Sequence, residues 1–412
     1  MAWPDTIFST LSLARRNVLR QRMRTAMTLA AIVFGVVGLI LSGGFVQDIF
    51  TQLGEALIHS QSGHLQIGKT GFFTLGSRKP DKYVISNPER IEEVVAARVE
   101  ARDVMGRLNF TGLLTNGRSD LAVVGEGVEP DREAQLGSYA LVTAGRQLTG
   151  RDPYGMMIGN GVAQALILKP GDQASLVVTT TDGAMNTLEF DVVGVFQTFS
   201  KDYDARAVRI PLTAAQELLD IPGANVLVVS LKRTPDTARV QRQLQVELAR
   251  KGLEIKRWDE LNDFYAKTVE LYDRQFGVLR LIILAMVLLS VTNTVNMTIF
   301  ERTGEFGTMQ ALGNRRWQVF ALIVIENVLL GIAGGLIGVM LGVLLAWGIS
   351  AIGIPMPPPP NSDVGYTAQI RVIPSLVLTA FGIGLVATVA ASILPALRVA
   401  RRNVVDALRE NV

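Results

Sequence analysis

Four long apolar stretches, one near the start of the chain and three near its end, constrain this sequence more than any other feature. The first is free of charge from Thr25 to Gln47. The second runs from Leu281 to Phe300, the third from Trp317 to Ser362 with Glu326 alone interrupting, and the fourth from Val372 to Leu397. A helix needs about 20 apolar residues to cross the hydrocarbon core of a bilayer, so each stretch can span. Between the first and second lie about 230 residues of mixed polarity. One helix, a large domain and then three helices suits transport or signalling across a membrane.

Arginines set the orientation, because an excess of Lys and Arg beside a span marks its cytoplasmic side. Arg15, Arg16, Arg20, Arg22 and Arg24 precede the first span. The second span should end on the same side, and Arg302, Arg315 and Arg316 follow it. The fourth should end there too, and Arg398, Arg401, Arg402 and Arg409 follow it. The external connection between spans three and four carries only Asp363 and Arg371. The expected topology therefore has both termini in the cytoplasm. The first apolar run is longer than the h-region of a cleaved signal peptide, and no A-x-A-like site follows, so it reads as a signal anchor.

The formal net charge of +3 is small, and topology explains much of it; no nucleic-acid partner is implied. Basic clusters at the cytoplasmic ends would meet anionic lipid. The chain has no cysteine, which excludes disulfides, thiol catalysis and Cys-ligated metal.

The expected division is a basic segment at 1–24, spans at 25–47, 278–300, 317–352 and 372–397, and an external domain at 48–275. A segment at 301–316 and a tail at 398–412 lie inside, and a Pro-rich loop at 353–371 lies outside. Within the external domain, Asn87-Pro88-Glu89 is a helix start, with a capping residue, then proline, then an acid in the first turn. That helix is expected to run to about Val99. Asn225–Leu231 and Leu253–Trp258 are strand-like around a helical Pro235–Lys251. The middle carries short apolar runs, Leu121–Val124, Ser175–Thr181, Leu188–Val195 and Ala207–Ile210, with a hairpin turn at Thr181-Asp182-Gly183. The fold class that follows is a membrane protein of four transmembrane helices with a large α+β periplasmic domain, into which a β-rich subdomain at about 115–205 is inserted. A helix from Asp259 to Gln275 is expected to continue directly into the second span.

Catalytic chemistry is hard to find. The phosphate-cradling G-x-x-x-x-G-K-[ST] and the zinc-binding H-E-x-x-H are both absent. The histidines, His59 and His64, lack carboxylates at a spacing that would complete a metal site. No catalytic residue, bound cofactor or metal is expected in this chain.

The segment from Glu301 to Gly313 is more informative. It is short and amphipathic, with Phe306, Met309 and Leu312 at helical spacing beside Glu301, Arg302 and Glu305. Such a helix either rests on lipid or fills a groove on a cytoplasmic partner. Its pattern, E-R-x-x-E-x-G-x-M-x-A-L-G directly after a span, resembles the coupling-helix signature of FtsX/MacB-like permeases of ABC transporters. Pro395–Arg401 followed by Asp406-Ala407-Leu408-Arg409 is similar to the closing motif of that family. Leu13–Asn17 with Arg22 and Arg24, and Gly63–Ile67, look most like its lipoprotein-releasing (LolC/LolE-like) branch. The chain departs from the signature at Phe306, where the family usually has isoleucine, and at Gln310, often arginine.

The resemblance implies that Glu301, Arg302, Glu305, Phe306, Met309, Leu312 and Gly313 couple the chain to a separate cytoplasmic ATPase dimer, which binds the ATP and Mg. It implies a second permease chain, identical or paralogous, and a periplasmic lipoprotein carrier or adaptor. It places the protein in the bacterial inner membrane. Met27, Ile32, Val36 and Ile40 become substrate-path candidates by the same resemblance.

Within the spans, Gly331, Gly334, Gly335, Gly338 and Gly342 form small-xxx-small rows that serve either packing within one subunit or dimerisation. Glu326 is an intramembrane charge with either a structural or coupling role or a proton or substrate role. Asn293 and Asn296 read as hydrogen-bonding groups between helices. The function implied is a mechanotransmission permease that extracts lipoproteins. The alternatives are a transmembrane regulator of a cell-wall hydrolase and an exporter of peptides or antibiotics with an adaptor.

Overall fold

The computed structural model describes residues 22–76, 80–85, 87–98, 100–136, 140–180, 182–357 and 365–401. The Leu13–Asn17 motif, Arg20, Asp363, Arg402 and the Asp406–Arg409 motif lie outside the described residues. The chain divides into two compact units. One comprises the chain up to Ile49 with Val269–Pro355 and Thr367 onward; the other comprises Phe50–Thr268 with Met356–Tyr366.

The second unit is an α+β domain. Its main elements in chain order are β1 (Leu65–Lys69), α1 (Pro88–Ala96), β2 (Ala101–Thr115), β3 (Asp120–Val128), α2 (Pro130–Leu136), β4 (Leu141–Gly145) and β5 (Gly155–Gly159). There follow α3 (Asn160–Leu166), β6 (Gln173–Thr179), β7 (Met185–Gln197), β8 (Ala207–Pro211), α4 (Leu212–Leu219), β9 (Val226–Leu231), α5 (Thr237–Ala249) and β10 (Leu253–Arg257). The strands form one sheet in the order β10-β1-β9-β2-β3-β8-β5-β7-β4, with β6 paired to both β2 and β7.

Two large cores sit on this sheet, beside smaller clusters around Phe72 and Phe196. Beside β1, β9 and β10, α5 buries Val240, Leu244 and Leu248, one residue per turn, against Leu65, Ile67, Leu227, Val229 and Ile255. Each such leucine contributes on the order of 2 kcal/mol by leaving water. At the other end Phe110, Ile158, Leu176, Phe190, Val208 and Leu218 fill a separate β-rich core. Strand β2 belongs to both. Its residues Ala101–Arg107 pair with β9, and Leu108–Thr115 pair with β3. The β-rich part therefore starts within β2 and reaches Pro211 in β8.

The apolar runs of the middle region coincide with β3, β6, β7 and β8, except that β6 ends at Thr179, short of the expected Thr181. The β6–β7 hairpin closes over residues 180–184 with Gly183 at φ +82°, a conformation that favours glycine; Thr181 lies outside the described residues. Helix α1 starts with proline after Asn87, although the Asn87 side chain makes no capping hydrogen bond, and it ends at Ala96.

Among the described residues, the other unit carries four helices long and apolar enough to cross a membrane. The first spanning helix, Arg22–Leu57, continues through a π-helical turn, Ile58–Ser62. The second, Asp263–Glu301, is unbroken; the expected helix from Asp259 instead has a separate turn, Trp258–Leu261, ahead of it. The third, Arg316–Ile352, has 37 residues and is about 55 Å long at 1.5 Å per residue. The fourth, Pro374–Ala400, opens with proline at its first turn, where the missing N–H costs nothing. In the loop before it, Ile354–Met356 pairs with Tyr366–Ala368. The loop is tied to the first helix by Asp48, a residue only 1% exposed. Asp48 accepts from Arg371 Nε at 2.8 Å and from the Gln369 N–H at 2.8 Å.

Candidate functional site

The second span ends at Glu301, and Arg302 leaves the helical path before a nine-residue helix, Thr303–Ala311, begins. Arg302 holds this corner. Its Nη1 donates to both oxygens of Glu326 on the third span, at 3.2 and 3.0 Å. Its Nε donates to Glu305 at 2.9 Å, and its guanidinium carbon lies 5.0 Å from the centre of the Phe306 ring. Arg302 is 7% exposed and Glu326 8%, so the pair is buried and its attraction is little screened. Glu301 pairs with Arg24 at the start of the first span. These contacts give Glu326 a structural place, as the anchor of the corner.

The short helix turns differently from the expected docking face. Phe306 is buried in the core of the spanning helices, and Met309 packs against that core; Leu312 is 83% exposed. Steps of three residues slip about 60° round a helix each time, so 306, 309 and 312 do not share one face. Thr303, Gly304, Phe306 and Gly307 turn inward, while Glu305, Thr308 and Leu312 face out. Gly313, at φ +100°, ends the helix by turning its N–H to Gln310 O at 3.0 Å. Beyond it Trp317 is 69% exposed and stacks on Phe320 with centroids 4.7 Å apart. The exposed tip therefore carries Leu312 and Trp317, with Arg315 and Arg316 between them in the chain. Trp317 stands in the sequence as the first residue of a span, and nothing local in the sequence marks its exposure.

Behind the corner a small cleft of about 40 Å³ is lined by Arg24, Thr28, Thr298, Arg302, Glu326 and Asn327 among others. Asn327 Oδ1 and Arg24 Nη1 are buried without a hydrogen-bond partner among the described residues.

The glycine rows pack within the chain. A Cβ at Gly334 would lie 3.0 Å from Ile32 Cβ, at Gly338 2.8 Å from Val36 Cβ, and at Gly342 3.0 Å from Ile40 Cδ1, all on the first span. At Gly331 and Gly335 it would meet Leu385 and Phe381 of the fourth span, at 2.9 and 2.7 Å. The third span thus offers one glycine row to each neighbour. Of the four substrate-path candidates, Ile32, Val36 and Ile40 are each 0% exposed because they fill the grooves of those glycines, and Met27, 62% exposed, faces outward. Asn293 and Asn296 lie on the second span. Both are exposed, and among the described residues neither makes a hydrogen bond to another helix of this chain. They fall on a stripe with Ile282, Met286, Leu289 and Phe300, spaced alternately by four and three residues.

His64 is a buried neutral group. Its Nδ1 accepts from the Leu231 N–H at 3.1 Å, which leaves Nε2 to donate to Thr234 Oγ1 at 3.2 Å. Burial, with the nearby His59, lowers its pKa from 6.5 to about 4. Among the described residues no group of three or more His, Asp or Glu side chains is placed to hold a metal ion.

Residues 25–246 match the MacB-like periplasmic core domain, and residues 277–404 match the FtsX-like permease C-terminal domain. An uncharacterized ABC transporter permease of Methanocaldococcus jannaschii is 24% identical over 358 residues, covering 83% of this chain and 84% of that one. The lipoprotein-releasing system transmembrane protein LolC of Neisseria meningitidis is 22% identical, covering 80% of this chain and 78% of that one. The macrolide export ATP-binding/permease protein MacB of Sodalis glossinidius is 24% identical, covering 82% of this chain but 52% of that one. The periplasmic region of MacB from Actinobacillus actinomycetemcomitans aligns over 52% of this chain and 94% of its own, at 15% identity and a TM-score of 0.36. With more than half of its residues matched by the periplasmic core domain and its last three spans by the permease domain, the chain belongs to the FtsX/MacB-like family of ABC transporter permeases.

Proposed function

We propose that this chain is the permease subunit of a mechanotransmission transporter that lifts lipoproteins from the outer face of the bacterial inner membrane. A separate cytoplasmic ATPase dimer binds ATP and Mg, and its closure pushes on the tip formed by Leu312 and Trp317. The observation that carries this reading is the Arg302–Glu326 pair, 3.0 Å long and buried. It joins the segment that a partner can reach to the third span, so a push on the tip moves helices rather than bending a loop. Relatives named as lipoprotein-releasing proteins match this chain over most of its length and support lipoproteins as the substrate; the macrolide export protein MacB, matched over 82% of this chain, supports export of another amphiphile as the second reading.

A second permease chain, identical or paralogous, is supported by the stripe on the second span. Its alternation of four and three residues is that of a helix–helix seam, and amides such as Asn293 and Asn296 find no partner in lipid. The external domain would then hand substrate to a periplasmic carrier or adaptor, with both termini of the chain in the cytoplasm.

The test is depletion of the chain in its native host, followed by membrane fractionation that tracks several outer-membrane lipoproteins. Build-up in the inner membrane, reversed by the intact gene but not by Leu312→Asp, is the expected result. Normal sorting would overturn the lipoprotein assignment and leave export of another substrate or control of a cell-wall hydrolase.

A further inference from the structure

We propose that Arg107 and Arg209 are positioning residues that clamp the end of the first helix inside the external domain, by donating to the backbone carbonyls of Ser60 and Gln61. The last carbonyls of any helix have no partner within it and carry the negative end of its dipole. Five of the carbonyls at this end have identified donors. Leu57 O accepts from Ser62 Oγ at 3.2 Å, Ile58 O from the Gly63 N–H at 3.0 Å, and Ser62 O from Gln66 Nε2 at 3.0 Å. Ser60 O accepts from Arg209 Nη2 at 2.7 Å, and Gln61 O accepts from Arg107 Nη1.

These two donors are unusual because of where they sit. Arg107 is 1% exposed and Arg209 5%, on β2 and β8. Two carboxylates balance them. Glu133 of α2 takes Arg107 side-on, at 2.7 and 2.8 Å from Nη2 and 3.1 Å from Nε. Glu126 of β3 takes Arg209 Nε at 3.0 Å. Burial alone would raise the pKa of Glu126, but the charges of Arg107 and Arg209 overcome it and hold the group below the ordinary carboxylate range. Burial pushes the Tyr203 hydroxyl well above its ordinary value, so it stays protonated beside Arg209, 3.2 Å from Nη2.

A neutral set of two cations and two anions in an apolar core is no more stable than a well-packed hydrophobic replacement. Its distinguishing property is direction. Once each guanidinium is fixed by its carboxylate, the N–H that remains can aim at one place, and both aim at the same turn. The grip draws on β2, β3, β8 and α2, so the helix end is fastened to both parts of the domain. That the clamp serves force transmission rests on the permease reading. The grip itself is independent of transport and is tested without it, so the failure of one is separable from the failure of the other.

The test is hydrogen–deuterium exchange on the full chain in lipid nanodiscs, comparing wild type with the paired variant Arg107→Met, Glu133→Leu. The pair removes one cation and one anion together, and so leaves no unbalanced charge. The clamp predicts about tenfold faster exchange across residues 58–64, with protection of β3, β8 and β9 unchanged. Arg107→Lys, which keeps the charge but loses the fixed fork, should fall between. The reciprocal pair Arg209→Met, Glu126→Leu should loosen the same segment, and it carries the test if the first pair fails to fold. Unchanged exchange at 58–64 would overturn the proposal. So would equal acceleration in the strands, because the network would then hold only the sheet.

Discussion

Alanine in place of Gly338 should destabilise the chain, although alanine normally strengthens a helix. The new Cβ would lie 2.8 Å from Val36 Cβ, 3.1 Å from Val36 Cγ1 and 3.3 Å from Val33 Cα. Cβ and Cα do not move when a side chain rotates, so the first and third spans must part along their contact. Overpacking of this kind costs about 1–3 kcal/mol. Replacing glycine within a helix returns up to about 1 kcal/mol, leaving a net loss of up to about 2 kcal/mol. Gly342→Ala meets chiefly Ile40 Cδ1, at 3.0 Å, the far end of a side chain that can swing away. Its two terms should cancel to within about 0.5 kcal/mol. Gly348→Ala and Gly382→Ala have nothing within 4 Å and should be neutral or stabilising. The assay is unfolding of the purified full chain in detergent, followed by tryptophan fluorescence. The expected order of stability is Gly348→Ala and Gly382→Ala highest, Gly342→Ala near wild type, and Gly338→Ala lowest. Equal losses at Gly338 and Gly348 would refute the reasoning, since the row would then be facing something other than the first span.

Arg302→Met removes a guanidinium from a buried carboxylate and should cost about 3–5 kcal/mol, whereas Arg302→Met with Glu326→Leu should recover most of it; a denaturant series on the full chain measures both. Arg371→Met should loosen the external loop from Asp48, a loss of about 1–3 kcal/mol, read as faster limited proteolysis around Gly365–Gln369 with the spans left intact. Acid should weaken the external domain through His64, whose pKa is lowered from 6.5 to about 4. Below pH 6.5 the unfolded chain takes up a proton that the folded one refuses. Stability is therefore full above 6.5 and falls toward pH 4, by about 3 kcal/mol in all. Unfolding midpoints of wild type and His64→Gln between pH 7 and 4 should converge as the pH falls.

Periodicity and composition made the helices legible. A charge-free run long enough to cross a bilayer can do little else, and the strands of the middle region announced themselves by short apolar runs between turns. Side-chain direction was less legible. Phe306, Met309 and Leu312 look alike in sequence, and only the neighbouring third span decides which of them is covered. The same holds for Ile32, Val36 and Ile40, whose burial depends on glycines about 300 residues further along the chain. The Arg107, Glu126, Glu133 and Arg209 network was invisible because its members come from separate elements and no local pattern relates them. Trp317 was hidden by its position, since the start of a span is an ordinary place for an aromatic residue.

Strand β2 has a consequence for how the external domain comes apart. Its first half is hydrogen-bonded to β9 and its second half to β3 and β6, without a linker between. Two bodies joined by a loop can melt, wander or be clipped separately. Two cores threaded on one continuous strand share its fate, because losing either pairing frees half of a backbone that the other must then hold alone. The domain should therefore open as one cooperative unit. Loops at the far edge, such as the β6–β7 hairpin, are free to lengthen or change, but β2 itself leaves no room for an insertion.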